Sequence, residues 1–148
     1  MWAAISYTAL LAAGVPAQLI GGKAADKIGS KNVLIITSAG VVLSLVSLVL
    51  FPVSIVGVVI FIMLYGLSFY AHQPALNALT GFCCPPSQRG AVYGIFFFTS
   101  FGIGSLSQVL AGAMADVYGL DVAFYALTGF ALAALLLSFK LPKKTETS

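Results

Sequence analysis

What most restricts this chain is where its charges fall. Its seven basic and four acidic residues occupy a few short windows, and the stretches between those windows are long and apolar. A helix crosses the hydrocarbon core of a bilayer in about 20 apolar residues. Each residue rises about 1.5 Å, and every backbone polar group must be bonded inside the helix at that depth. Five segments meet this demand, at residues 2–21, 33–51, 53–79, 91–113 and 122–139, and a short polar tail follows at 140–148. The predicted fold is therefore all-α, a polytopic membrane bundle of five transmembrane helices.

Composition excludes the main alternatives. The chain is 60% apolar and 7% charged, where soluble domains carry roughly 25% charged residues. The net charge of +3 is spread over separate windows and builds no basic stripe or helix, so nucleic acid is not an expected partner. Cys83 and Cys84 are adjacent and cannot staple distant segments. A membrane enzyme needs a cluster of acid, base, nucleophile or metal ligands. With one histidine and no acid inside a span, no catalytic residue, metal site or cofactor is expected.

The connections set the topology. Phe51-Pro52 predicts a tight hairpin between the second and third spans, because proline lacks a backbone donor and disfavours helix in the residue before it. The third span exceeds what a bilayer needs, so it either tilts or ends in an interfacial turn beyond Pro74. Lys23, Lys27 and Lys31 follow span one, Arg89 follows span three, and Lys140, Lys143 and Lys144 follow span five. All seven basic residues thus fall on one face, and the opposite loops hold only Asp116 and Asp121. Since Lys and Arg concentrate in cytoplasmic loops, the C-terminus is expected in the cytoplasm and the N-terminus outside, in the cell membrane. An odd number of spans with an exterior start predicts a further span before Met1.

The chain also repeats itself. At an offset of 90 residues, Gly14, Gln18, Gly22, Ala25, Asp26 and Gly29 fall on Gly104, Gln108, Gly112, Ala115, Asp116 and Gly119. The offset covers three spans, so the two copies must end on opposite faces of the membrane, which is an inverted repeat. The first copy ends in Gly22-Lys23-Ala24-Ala25-Asp26-Lys27-Ile28-Gly29-Ser30-Lys31. Physically this reads as a tight cationic loop in which Gly22 allows close packing, Asp26 can accept hydrogen bonds and Gly29 permits the turn.

That stretch resembles the short cytoplasmic loop motif of the major facilitator superfamily, with Gly22, Asp26, Lys27, Gly29 and Lys31 matching and Ser30 in place of a usual basic residue. Pro74-Ala75-Leu76 through Pro85-Pro86-Ser87-Gln88-Arg89-Gly90 is similar to the family's segment leading out of its fourth or tenth helix, although no acid lies between Pro74 and Arg89. Gly112 and Asp116-Val117-Tyr118-Gly119 resemble the close of the eleventh helix. Span four has no glycine-proline pair, which favours the C-terminal half, helices eight to twelve. The resemblance implies a secondary transporter or facilitator that moves a small solute by alternating access. Its partners would be membrane lipid, the solute and an N-terminal half. A non-transport membrane subunit, associating through the same polar and small-residue faces, is the alternative.

The polar residues of the spans suggest a pathway. Polar side chains inside a bilayer usually face protein or water. Gln18, His72, Gln73, Asn77 and Gln108 lie in spans one, three and four, so these are expected to line the interior and spans two and five to face lipid. On span three, Gly66, Tyr70, Gln73, Asn77 and Thr80 share one stripe; on span four, Ser100, Gly104, Gln108 and Gly112 recur every four residues. Gln18, Tyr70, Gln73, Asn77 and Gln108 are the candidate substrate contacts. Gly22, Asp26, Lys27, Gly29, Lys31 and Arg89 form the candidate conformational motif. His72 lies off the stripe; the bland reading is a packed histidine, and the functional one is proton coupling.

Overall fold

The computed structural model describes residues 2–51 and 54–142; Pro52 and the tail lysines Lys143 and Lys144 lie outside the described residues. Five helices follow one another: α1 (Trp2–Ile28), α2 (Ser30–Leu50), α3 (Ile55–Phe82), α4 (Arg89–Tyr118) and α5 (Leu120–Ser138), with a 3-10 turn at Pro86–Gln88 before α4. Among the described residues there is no strand. Among the described residues, four helices, α2 to α5, are long and apolar enough to cross a membrane. The expected fifth span, α1, has the length to cross at 27 residues, and its charged residues Lys23, Asp26 and Lys27 all lie in its last two turns.

One expectation about the connections changes, and for span three the structure takes one of the two courses left open. The residues after span one form no loop: α1 continues through Asp26 and Lys27 to Ile28, Gly29 alone breaks the helix, and α2 starts at Ser30. A helix that continues past the hydrocarbon keeps its backbone groups bonded, whereas a loop at that depth would not. Nor does span three unravel at Pro74. α3 carries that proline inside 28 continuous helical residues, about 42 Å of rise against a core of about 30 Å, so tilt or projection accommodates the excess.

The repeat is a repeat of backbone geometry. Gly29 has φ 86° and Gly119 φ 91°, and these are the two positive-φ glycines among the described residues. Each donates its N–H to the carbonyl four residues back, Gly29 to Ala25 (3.1 Å) and Gly119 to Ala115 (3.0 Å). Each is also the residue on which the next helix starts. Four residues on, the equivalent side chains Val33 and Ala123 are both buried. The joints lie at opposite ends of the bundle. Gly29 shares a cavity with Arg89, whereas Asp121, just after Gly119, meets Leu48 and Val49 at the far end of α2.

α2 and α3 form the centre, with α1 against both and α5 against α2; α4 packs on α5 and only grazes α3. This corrects the expectation that α2 simply faces lipid. It buries Val33, Leu34, Thr37, Ser38, Val42, Ser44, Leu45 and Ser47, and its exposed large apolar residues form the narrow stripe Ile36, Leu43 and Leu50. Small residues explain the depth of packing: at Gly40 an added Cβ would run into the hydroxyl of Ser68 on α3. The hairpin into α3 is tight in the same way, since a Cβ on Gly57 would lie 2.7 Å from the carbonyl oxygen of Phe51.

At the cationic end, Lys31 Nζ donates to the carbonyl oxygens of Phe139 (2.7 Å) and Leu141 (2.6 Å). These carbonyls lie at and just beyond the end of α5, so the lysine caps that helix and complements its dipole. Leu141 then packs on the cluster of Ala25, Val33, Leu34, Ala75 and Leu79. Lys31→Met keeps the stem and removes the donor. It is expected to lower stability in detergent by about 1–2 kcal/mol, read as a lower thermal-unfolding midpoint.

Candidate functional site

The candidate pathway residues start from the seam between α1 and α3. Gly14, Gln18, Gly21 and Gly22 share one face of α1 by helical spacing. That face meets α3: a Cβ on Gly14 would lie 2.7 Å from the ring of Tyr70, and one on Gly21 would strike the backbone of Ala71. Glycine therefore brings Tyr70 against α1, with Gln18 one turn beyond Gly14 and exposed. Gln73 and Asn77 follow Tyr70 on the stripe, both half-buried.

Asn77 is the most constrained of these. Its Oδ1 is buried without a hydrogen-bond partner among the described residues, an arrangement that costs about 1–3 kcal/mol until a donor arrives. Its backbone carbonyl accepts a 2.6 Å hydrogen bond from the hydroxyl of Tyr93 on α4. The same hydroxyl would lie 2.8 Å from a Cβ on Gly81. Beyond that pin α4 has little contact with α3, and none of its residues is buried. Gln108 is accordingly exposed and is not brought against Asn77 or Gln18.

Tyr93, Phe97 and Phe101 stack along the face of α4 that also carries Ser100, Gly104 and Gln108 by spacing. Phe61, Tyr65 and Phe69 stack along α3, with Tyr70 edge-on to Phe69. Neither ladder was singled out from the sequence, although aromatic residues at i, i+4 and i+8 are legible there. The site thus offers amides, hydroxyls and aromatic faces.

His72 belongs to a different interface. Thr37 on α2 donates to the carbonyl oxygen of Val33 (2.8 Å), and its oxygen lies 3.0 Å from His72 Nδ1. Which of the two groups donates follows from the tautomer of the ring. The residue ties α3 to α2 and stays off the polar stripe.

The conformational motif is gathered at one end. Asp26, Lys27, Gly29 and Arg89 line a cavity of about 930 Å³ with Tyr93, between the α1–α2 joint and the start of α4. Asp26 and Arg89 are both exposed. Gly22 lies beside Pro74 with room to spare, its nearest approach being 3.9 Å, and Lys31 is committed to α5. Among the described residues no group of His, Cys, Asp and Glu is arranged to hold a metal ion.

Comparison with known proteins places this architecture. A family model described as Major Facilitator Superfamily matches residues 1–148. Searches of curated proteins and of solved structures found no match. The family match spans the chain and agrees with the helical membrane bundle described above, so the chain belongs to the Major Facilitator Superfamily of membrane transporters.

Proposed function

We propose that these helices correspond to helices eight to twelve of a secondary transporter or facilitator, and that they carry a small solute by rocking against an N-terminal bundle. The observation that carries this reading is the repeated helix–glycine–helix geometry at Gly29 and Gly119, at opposite ends of the bundle. Such inverted repeats place a central site where two bundles can open to either side in turn. Gln18, Tyr70, Gln73, Asn77 and Gln108 supply solute contacts, and the Asp26 motif with Arg89 stabilises one closed state at the cytoplasmic face.

The test is solute flux by the whole protein reconstituted in liposomes. Gln73→Ala and Asn77→Ala are each expected to reduce flux about tenfold, as loss of a buried hydrogen bond to the solute would. Asp26→Asn is expected to change the ratio of inward-facing to outward-facing states, read by accessibility labelling. His72→Gln accompanies them: proton coupling through His72 requires that this variant lose drive by a pH gradient yet keep counterflow. Unchanged flux in the stripe variants and in Asp26→Asn would overturn the reading. Partner binding without any flux would assign the chain to a non-transport membrane subunit.

A further inference from the structure

A second cavity, of about 290 Å³, lies between α1, α2 and α3, off the polar stripe and next to the motif cavity, with which it shares Ile28. Its floor is made of small or buried residues, among them Ala17, Gly21, Val33 and Ala71. Its rim is isoleucine: Ile20, Ile28 and Ile36 are 60%, 46% and 60% exposed. The lining is almost wholly apolar; of its two hydroxyl side chains, Thr37 is bonded to the carbonyl of Val33 and Ser68 lies against Gly40. On α1 the cavity runs from Ala17 to Ile28, about 16 Å of helix. The volume is at the low end for ligand cavities, and the shape is that of a slot open at the side of the bundle.

The cationic end of the bundle meets this slot. Ile20, Lys23 and Lys27 follow one another at i, i+3 and i+7, so the lysines flank the slot just outside the rim residue Ile20, within reach of its edge by their long stems; both are exposed, and Lys27 also lines the motif cavity. Lys31 is not available to a ligand, because it caps α5. An apolar slot inside the bilayer, with two free ammonium groups at its membrane-surface end, has the polarity of an anionic phospholipid: acyl chain below, phosphate above. A free phosphate would leave the slot empty, and a neutral lipid would leave the lysines unmatched.

We propose that this slot is a binding site for an anionic phospholipid, with one acyl chain between α1 and α2 and the phosphodiester on Lys23 and Lys27. The lipid would then bear directly on the final turn of α1, next to the Gly29 joint. The site is independent of which solute the protein moves.

The test uses the purified whole protein and dioleoyl phosphatidylglycerol, with dioleoyl phosphatidylcholine as comparison. Native mass spectrometry is expected to show the anionic lipid retained about tenfold better, and Lys23→Gln with Lys27→Gln is expected to abolish that preference. Ala24→Leu narrows the slot and leaves both charges; it is expected to lose retention of the lipid. Since that variant could disturb folding, a phosphatidylglycerol with a diazirine near its chain end supplies a second readout on the unmodified protein. Crosslinks are expected to concentrate on peptides containing Ile20 and Ile36. Equal retention of the two lipids, crosslinks spread evenly over the exposed faces of α4 and α5, or exclusion of the probe from the slot by another protein helix would overturn the proposal.

Discussion

Gly21→Ala is expected to destabilise the protein by about 3 kcal/mol or more, whereas Gly22→Ala next to it is expected to be neutral or mildly stabilising. A Cβ on Gly21 would collide with the carbonyl oxygen of Ala71, and it would lie 2.6 Å from that residue's Cα and 2.8 Å from its carbonyl carbon. These are backbone atoms of α3, which cannot rotate aside as the far end of a side chain can. To admit one methyl group, α1 and α3 must separate, and the separation loosens Gly14 against Tyr70 and the cluster around Ala25, Ala75 and Leu79. A Cβ on Gly22 would meet nothing nearer than Pro74 at 3.9 Å, and alanine is the better helix former by about 1 kcal/mol. Thermal unfolding in detergent, with the yield of monodisperse protein, distinguishes the two variants. Equal behaviour would show that α1 and α3 do not approach this closely.

Gly29→Ala and Gly119→Ala are expected to cost about 1–3 kcal/mol each, for a different reason. Nothing lies within 4 Å of a Cβ at either site, so sterics with neighbours contribute little. The cost is in the backbone: φ of 86° with ψ of 145°, and 91° with 159°, lie in a region that is essentially glycine's alone. The joints are far apart with no shared partners, so the double variant should show the sum of the two losses within about 0.5 kcal/mol. Gly94→Ala, on open helix surface, is the control and should not destabilise. A thermal-unfolding series over these four proteins checks the prediction. A harmless Gly29→Ala would mean that the joint bends in another way and would remove the geometric basis of the repeat.

The spans were legible because the bilayer imposes a one-dimensional rule. A run of neutral apolar residues such as 32–88, broken only at Phe51-Pro52, has few alternatives to two helices. The repeat was legible for a related reason, since Asp26 with Gly29 and Asp116 with Gly119 keep their spacing and the joints they mark proved alike. Sidedness was legible in part. The structure gathers Lys27, Lys31, Arg89 and the end of α5 at one end of the bundle, as the loop charges predict.

The candidate site was less legible. Helical spacing put Tyr70, Gln73 and Asn77 on one stripe, and Tyr70 does meet α1. The same logic could not tell that α4 would stand off from α3, leaving Gln108 exposed, or that His72 would turn to Thr37. Motif matching grouped Lys31 with Asp26, yet Lys31 caps a helix more than a hundred residues away in the chain. It also named Gly22, when the tightest glycine contact of α1 belongs to Gly21.

By itself the sequence determined how many apolar helices there are, which chain positions join them, where glycine must break the helix and which ends carry the charge. Each of these follows from local rules, namely hydrocarbon thickness, backbone satisfaction, the conformational range of glycine and the cost of charge in lipid. Only the tertiary structure decided which helix is central, which glycine touches backbone, which amide stays unpaired and where a lysine finds its carbonyls. In lipid no hydrophobic force sorts one apolar face from another, so partners are chosen by close steric fit and a few polar contacts between distant segments, and neither is written in the spacing along the chain.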